Sequence, residues 1–119
     1  MLDSLKVLTA VEKEKDEIAR MAEELCERFQ NNLPKRAQFE NLRLVASSTE
    51  SIEELKSFIY YQKARKIPKW TDKFVEELIK KIEGIKSKFS DNKQMQIKAI
   101  RLFTGYLIRY ALFYSKEVR

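Results

Sequence analysis

The side chains best placed to do chemistry in this chain are cations interleaved with tyrosines. Lys56, Tyr60 and Lys63 recur at helical spacing along one stripe, and Tyr61 and Arg65 lie one turn apart on the opposite flank. At that spacing a guanidinium can stack over a ring. Lys66 and Lys69 follow at the helix end and in the loop around Pro68, where positive charge complements the helix dipole. A second stripe holds Lys98, Arg109 and Lys116, interrupted by Gly105 and Leu112, with Arg101 beside it. Glycine at position 105 would let another backbone come close. Cations meet phosphates and rings stack on unpaired bases, so the pattern suits nucleic acid. The same residues also fit a core rim closed by tyrosines with lysine stems lying over them. Tyr61 and Tyr110 are assigned to that rim. No Gly-rich loop or RNP-type motif is present, so recognition would be of backbone or duplex shape, not of sequence.

Catalytic chemistry finds little to work with. The chain has no histidine, one cysteine and two glycines. Histidine acid–base catalysis, mixed Cys/His zinc sites, Walker loops and dinucleotide fingerprints are therefore excluded. Cys26 lies beside an apolar seam and is expected to be a small buried hydrophobe. The carboxylates come as adjacent pairs (Glu23-Glu24, Glu53-Glu54, Glu76-Glu77), whose members point about 100° apart on a helix and so form no acid–base dyad. A nuclease built from carboxylates and a metal across helices is the remaining enzymatic option. The expectation is a binding protein with no catalytic residue, no metal and no cofactor.

Charge is unevenly divided. Of 119 residues, 44% are apolar and 35% charged, consistent with one folded, soluble domain over residues 1–119. Residues 1–33 carry 5 basic and 8 acidic side chains, and residues 34–119 carry 19 basic and 10 acidic. An acidic first helix thus precedes a basic body, and the overall charge is +6. The positive field attracts polyanions in a salt-dependent way. No stretch is long and apolar enough for a membrane span, and the opening Met1-Leu2-Asp3-Ser4-Leu5-Lys6 lacks the pattern of a signal peptide. One cysteine allows no internal disulfide, so a cytoplasmic location and no membrane partner are expected.

These side chains must be positioned by helices, since no useful strand-like alternation occurs. Prolines and Ser/Thr/Asn/Asp clusters divide the chain into about five. The first is expected over Ser4–Gln30. Its seam of Leu8, Val11, Ile18, Ala22, Leu25 and Phe29 is coiled-coil-like, with Lys15 where the pattern breaks. That seam faces either the body or a second subunit, which makes Leu8, Val11 and Ile18 interface candidates. Pro34 suits the first turn of a second helix carrying Phe39, Leu42 and Val45. Ser51 and Glu54 form a capping box for the third, which Pro68 stops. Thr71 caps the fourth, whose stripe runs Phe74, Val75, Leu78, Ile82, Ile85, Phe89. Asp91 with Gln94 is expected to cap the fifth, Met95–Tyr114. That helix is apolar on two sides: Ile100, Phe103, Leu107, Tyr110, Ala111 and Tyr114 on one, Leu102, Tyr106 and Phe113 nearly opposite. Such a helix is central in a bundle or covered by a partner, and Leu102, Tyr106 and Phe113 become interface candidates. The fold class is all-α, a small helical bundle.

The segment Leu55-Lys56-Ser57-Phe58-Ile59-Tyr60-Tyr61-Gln62-Lys63-Ala64-Arg65-Lys66 resembles the small helical subunit of type III-A (Csm-type) CRISPR–Cas effector complexes. That family shows a hydrophobic stretch leading to Tyr-x-x-x-Arg, matched by Tyr61 and Arg65. It then has an amphipathic helix like that of Phe74, Leu78, Ile82 and Ile85, and an aromatic-rich last helix like that of Phe103, Leu107, Tyr110 and Tyr114. The similarity covers roughly residues 40–116. It implies a non-catalytic, all-α subunit repeated beside the guide RNA–target RNA duplex, bound to the other subunits of the effector complex and self-associating. Lys56, Lys63, Arg65, Lys66, Lys69, Lys98, Arg101 and Arg109 would then bind RNA. The rival reading is a helical protein–protein adaptor with no nucleic-acid role.

Overall fold

The first expected helix breaks at Glu14. In the computed structural model, which describes residues 4–115, α1 (Ser4–Lys13) and α2 (Lys15–Arg28) are separate elements, and Glu14 between them leaves helical geometry at φ −101°, ψ 5°. The apolar seam is interrupted here by Lys15. A straight helix would carry its ammonium towards the core at a cost that no partner offsets. The break instead leaves Lys15 exposed, 3.8 Å from Glu12. Four helices follow: α3 (Arg36–Ser48), α4 (Ile52–Ala64), α5 (Asp72–Lys88) and α6 (Lys93–Tyr114). The described residues therefore form six helices where about five were expected, and contain no strand.

Helix starts show which local signals were obeyed. The Ser51 hydroxyl accepts from the Glu54 amide at 3.1 Å, and the Thr71 hydroxyl from the Phe74 amide at 3.2 Å. The capping box at Ser51 is only half made, because the Ser51 amide donates to Thr49 Oγ1 at 3.0 Å instead. The α6 cap is Asn92, whose Oδ1 accepts from the Met95 amide at 2.9 Å, one residue beyond the expected Asp91. Pro34 stands just before the α3 N-cap, Lys35, and not in its first turn.

α6 is central, packed by α1, α2, α3 and α5. That accounts for most of its second apolar side. Leu102 and Tyr106 are partly buried against the core, whereas Leu112 and Phe113 stay 42% and 64% exposed. Val11 and Ile18 are buried in the chain's own core, so the α1–α2 seam faces the body and these two are not available to a second subunit. Leu8 remains exposed.

Ion pairs report helix directions. Arg28–Glu77 (3.3 Å), Lys81–Glu24 (3.6 Å) and Lys88–Glu17 (2.9 Å) run in reverse order along α2 and α5. Lys56–Glu83 (2.6 Å) and Lys63–Asp72 (2.9 Å) do the same for α4 and α5. Both neighbours are antiparallel to α5. One end of the bundle is locked by Phe74, which meets Phe29, Phe39 and Trp70 edge-on at ring centroid separations of 5.4, 6.1 and 5.6 Å. This cluster gathers the end of α2, the starts of α3 and α5, and the α4–α5 turn. Beside it, Gln62 Nε2 donates to Gln38 Oε1 at 3.0 Å. Trp70 Nε1 is buried there without a hydrogen-bond partner among the described residues, a cost of about 1–3 kcal/mol that ring packing must offset.

Candidate nucleic-acid interface

The α4–α5 turn starts earlier than Pro68 alone would require. α4 ends at Ala64, with Arg65 as its C-cap. The Lys66 amide donates to Lys63 O at 3.0 Å, and the Ile67 amide to Gln62 O at 3.1 Å, which satisfies the last carbonyls. This geometry puts Lys66 at φ 58°, and Lys69 adopts φ 70°. Glycine would adopt both angles freely, whereas a lysine there costs roughly 1–2 kcal/mol each. The turn therefore carries two cations at positions where backbone energetics favour a residue without a side chain.

Around it the candidate residues fall into distinct groups. Arg65 is exposed, its guanidinium 5.3 Å from the Tyr61 ring centre, as the spacing predicted. Tyr61 itself is 57% exposed and does not close the core rim as its sequence pattern suggests: α4 buries Ile52, Leu55, Ile59 and Gln62 and turns Tyr61 to solvent. Tyr110 is partly buried against the core. Lys66 is exposed, and neither it nor Arg65 has a carboxylate partner among the described residues. Lys63 is paired with Asp72, whose side chain is almost wholly exposed, a pair worth little in water. Lys69 is half-buried. Exposed Lys35 and Lys73, at the starts of α3 and α5, stand at the same end of the bundle.

Two candidates are held inside the fold. Lys56 lies between Glu83 (2.6 Å) and Glu53 (3.5 Å), and these carboxylates hold its ammonium pKa above the usual lysine range. Arg101 donates from Nε to Ala46 O at 3.0 Å and from Nη2 to Thr49 O at 3.1 Å, closing the C-terminal end of α3. Neither presents a free cation to a phosphate in the way its stripe position suggested. Lys98 and Arg109 are exposed, and the Arg109 guanidinium lies 5.6 Å from the Tyr106 ring centre. Lys116 lies outside the described residues. A Cβ added at Gly105 would meet nothing within 4 Å, so no backbone among the described residues uses that opening.

Part of the acidic segment is paired within the fold. Glu17 and Glu24 of α2 pair with Lys88 and Lys81 of α5, and Lys88 holds the Glu17 carboxyl below the usual range. Chemistry elsewhere is muted. Cys26 is fully buried, its Sγ donates to Leu107 O at 3.7 Å, and burial pushes the thiol up to about 12, with Glu23 adding to the shift. At neutral pH it is not a thiolate nucleophile. Among the described residues no three His, Cys, Asp or Glu side chains gather where they could hold a metal ion, and no helix is long and apolar enough to cross a membrane.

No family model, curated protein or solved structure matches this chain. The cations that sequence reasoning missed are Lys35, Lys73 and Lys93. None continues a basic stripe of its own helix, and packing brings each near the other candidates.

Proposed function

We propose that the chain is a non-catalytic, cytoplasmic RNA-binding subunit of a type III-A CRISPR–Cas antiviral effector complex, contacting the guide–target RNA duplex through its backbone without reading sequence. One observation carries the reading. At the α4–α5 turn Arg65 and Lys66 stand exposed without carboxylate partners among the described residues, at the same end of the bundle as Lys63, Lys69, Lys35 and Lys73. The resemblance of residues 55–66 to the small subunit of those complexes supports it. So does the absence of histidine and the burial of the one thiol.

The chemistry asked of the surface is modest. Each cation that neutralises a phosphate releases counterions, so affinity falls with salt at a slope of about −0.9 per phosphate contact. A handful of contacts binds weakly in one copy, but several copies on one RNA raise the effective concentration and bind tightly together. The test is charge reversal of Arg65 and Lys66 in the assembled complex, with target-RNA affinity measured across salt concentrations. A weaker affinity and a shallower slope are expected. Unchanged values would remove this surface from the RNA.

Exposed Phe113, Leu112 and Leu8 favour a second reading, a helical protein–protein adaptor. Purification from the native host separates the two: nuclease-protected RNA of guide length accompanies the first, and protein without RNA the second.

A further inference from the structure

A second cationic surface lies at the opposite end of α5. A groove of about 680 Å³ runs between α1 and α6, with Lys93, Lys98 and Arg101 on the α6 side and Val7, Leu8 and Ile97 among its apolar lining. Glu50 is the carboxylate among its lining residues. Lys93 and Lys98 are exposed and have no ion-pair partner among the described residues. Arg101, though held to the α3 carbonyls, keeps its charge at the groove wall. Resting on the RNA-binding reading above, we infer that this groove holds the phosphate backbone of the same RNA strand that the α4–α5 turn engages, so that one chain grips a strand at two separated places.

Charge and distance carry the inference. α5 starts beside the basic turn, and after its 17 residues the chain passes through one short connection to Lys93 at the start of α6. At 1.5 Å per residue the two surfaces are separated by roughly 25 Å. Between them, the lysines of α5 facing α2 are neutralised by Glu17 and Glu24. Positive field is thus concentrated at two ends with a neutralised stretch between. Each strand of a duplex carries one phosphate per roughly 3 Å of helix axis, so spanning the gap takes roughly eight base pairs. The apolar lining suits sugar edges, which carry no sequence information.

Binding of RNA strands of mixed sequence folded into hairpins, with duplex stems of about 5 and about 15 base pairs, to the intact protein at low salt is the direct test. The longer strand is expected to bind at least about tenfold tighter than the increase in available registers explains. The double substitution Lys93→Glu with Lys98→Glu should abolish that extra gain and leave the shorter strand bound within about twofold. Both positions are exposed, and an unchanged helical circular dichroism signal verifies folding; Lys93→Gln with Lys98→Gln gives a milder version of the same loss. Long-strand binding that survives the groove variants but is lost on Arg65→Glu with Lys66→Glu overturns the two-ended grip and leaves the first surface standing. Failure of the unaltered protein to bind either strand at low salt, at protein concentrations high enough to reveal weak single-copy contacts, overturns the RNA-binding reading, and the grip with it.

Discussion

The two ends of one ion-paired framework use lysine in opposite ways. Where α5 faces α2, Lys81 and Lys88 are matched by Glu24 and Glu17, and Glu77 by Arg28. Where the chain turns into α5, Arg65 and Lys66 have no carboxylate partner among the described residues. The same residue types close a helix pair in one region and project an uncompensated field in the other. A formal charge of +6 therefore understates the asymmetry. Pairing cancels charge along the framework and leaves it at the turn and the α1–α6 groove.

Removing Phe74 should erase the contrast altogether. Phe74→Ala opens a cavity beneath the turn and is expected to cost about 3–5 kcal/mol, read by chemical denaturation. Charge reversal separates the regions: Arg65→Glu with Lys66→Glu should weaken RNA binding by more than about tenfold, while Lys81→Gln with Lys88→Gln should leave it within about twofold. The latter lysines are partly buried, but their Glu24 and Glu17 partners are exposed, so the loss should lower stability by about 1 kcal/mol. Lys66→Gly isolates backbone from charge. It relieves a left-handed residue and should raise stability by about 1 kcal/mol while lowering RNA affinity, and a fall in both would mean the lysine side chain also packs structurally. Gly105→Ala should stabilise α6 by about 0.5–1 kcal/mol in the isolated chain, and a loss of assembly alongside that gain would show a partner backbone at the open position.

Acid offers the smallest and most specific probe of the paired framework. Lys88 lowers the Glu17 carboxyl and Lys56 the Glu83 carboxyl from the ordinary value of 4.5. A carboxyl that is more acidic when folded stabilises above its unfolded pKa, and that contribution fades as pH falls through the lowered folded value. The thermal midpoint should therefore drop below pH 4.5, and Glu83→Gln should flatten the drop.

Much of the architecture was legible in local pattern. The stripe of Phe74, Val75, Leu78, Ile82 and Ile85 is buried as its period required, and Thr71 and Ser51 cap where their hydroxyls predicted. Tyr61 and Arg65 stack because one helical turn brings ring and guanidinium together whatever surrounds them. Four side chains depart from their local pattern for one reason. Lys56, Arg101, Val11 and Ile18 sit on stripes that looked available, and each finds its partner far along the chain: Glu83, Ala46 and the core around α6.

Composition and periodicity alone established an all-helical chain without histidine chemistry, a basic body behind an acidic start, and the spacing that stacks Tyr61 with Arg65. These follow from interactions within one or two helical turns, which a sequence states directly. Which cations stay uncompensated was decided by tertiary packing. An ion pair needs its charges within about 4 Å, and residues such as Glu17 and Lys88, far apart along the chain, reach that separation only when α2 lies antiparallel to α5.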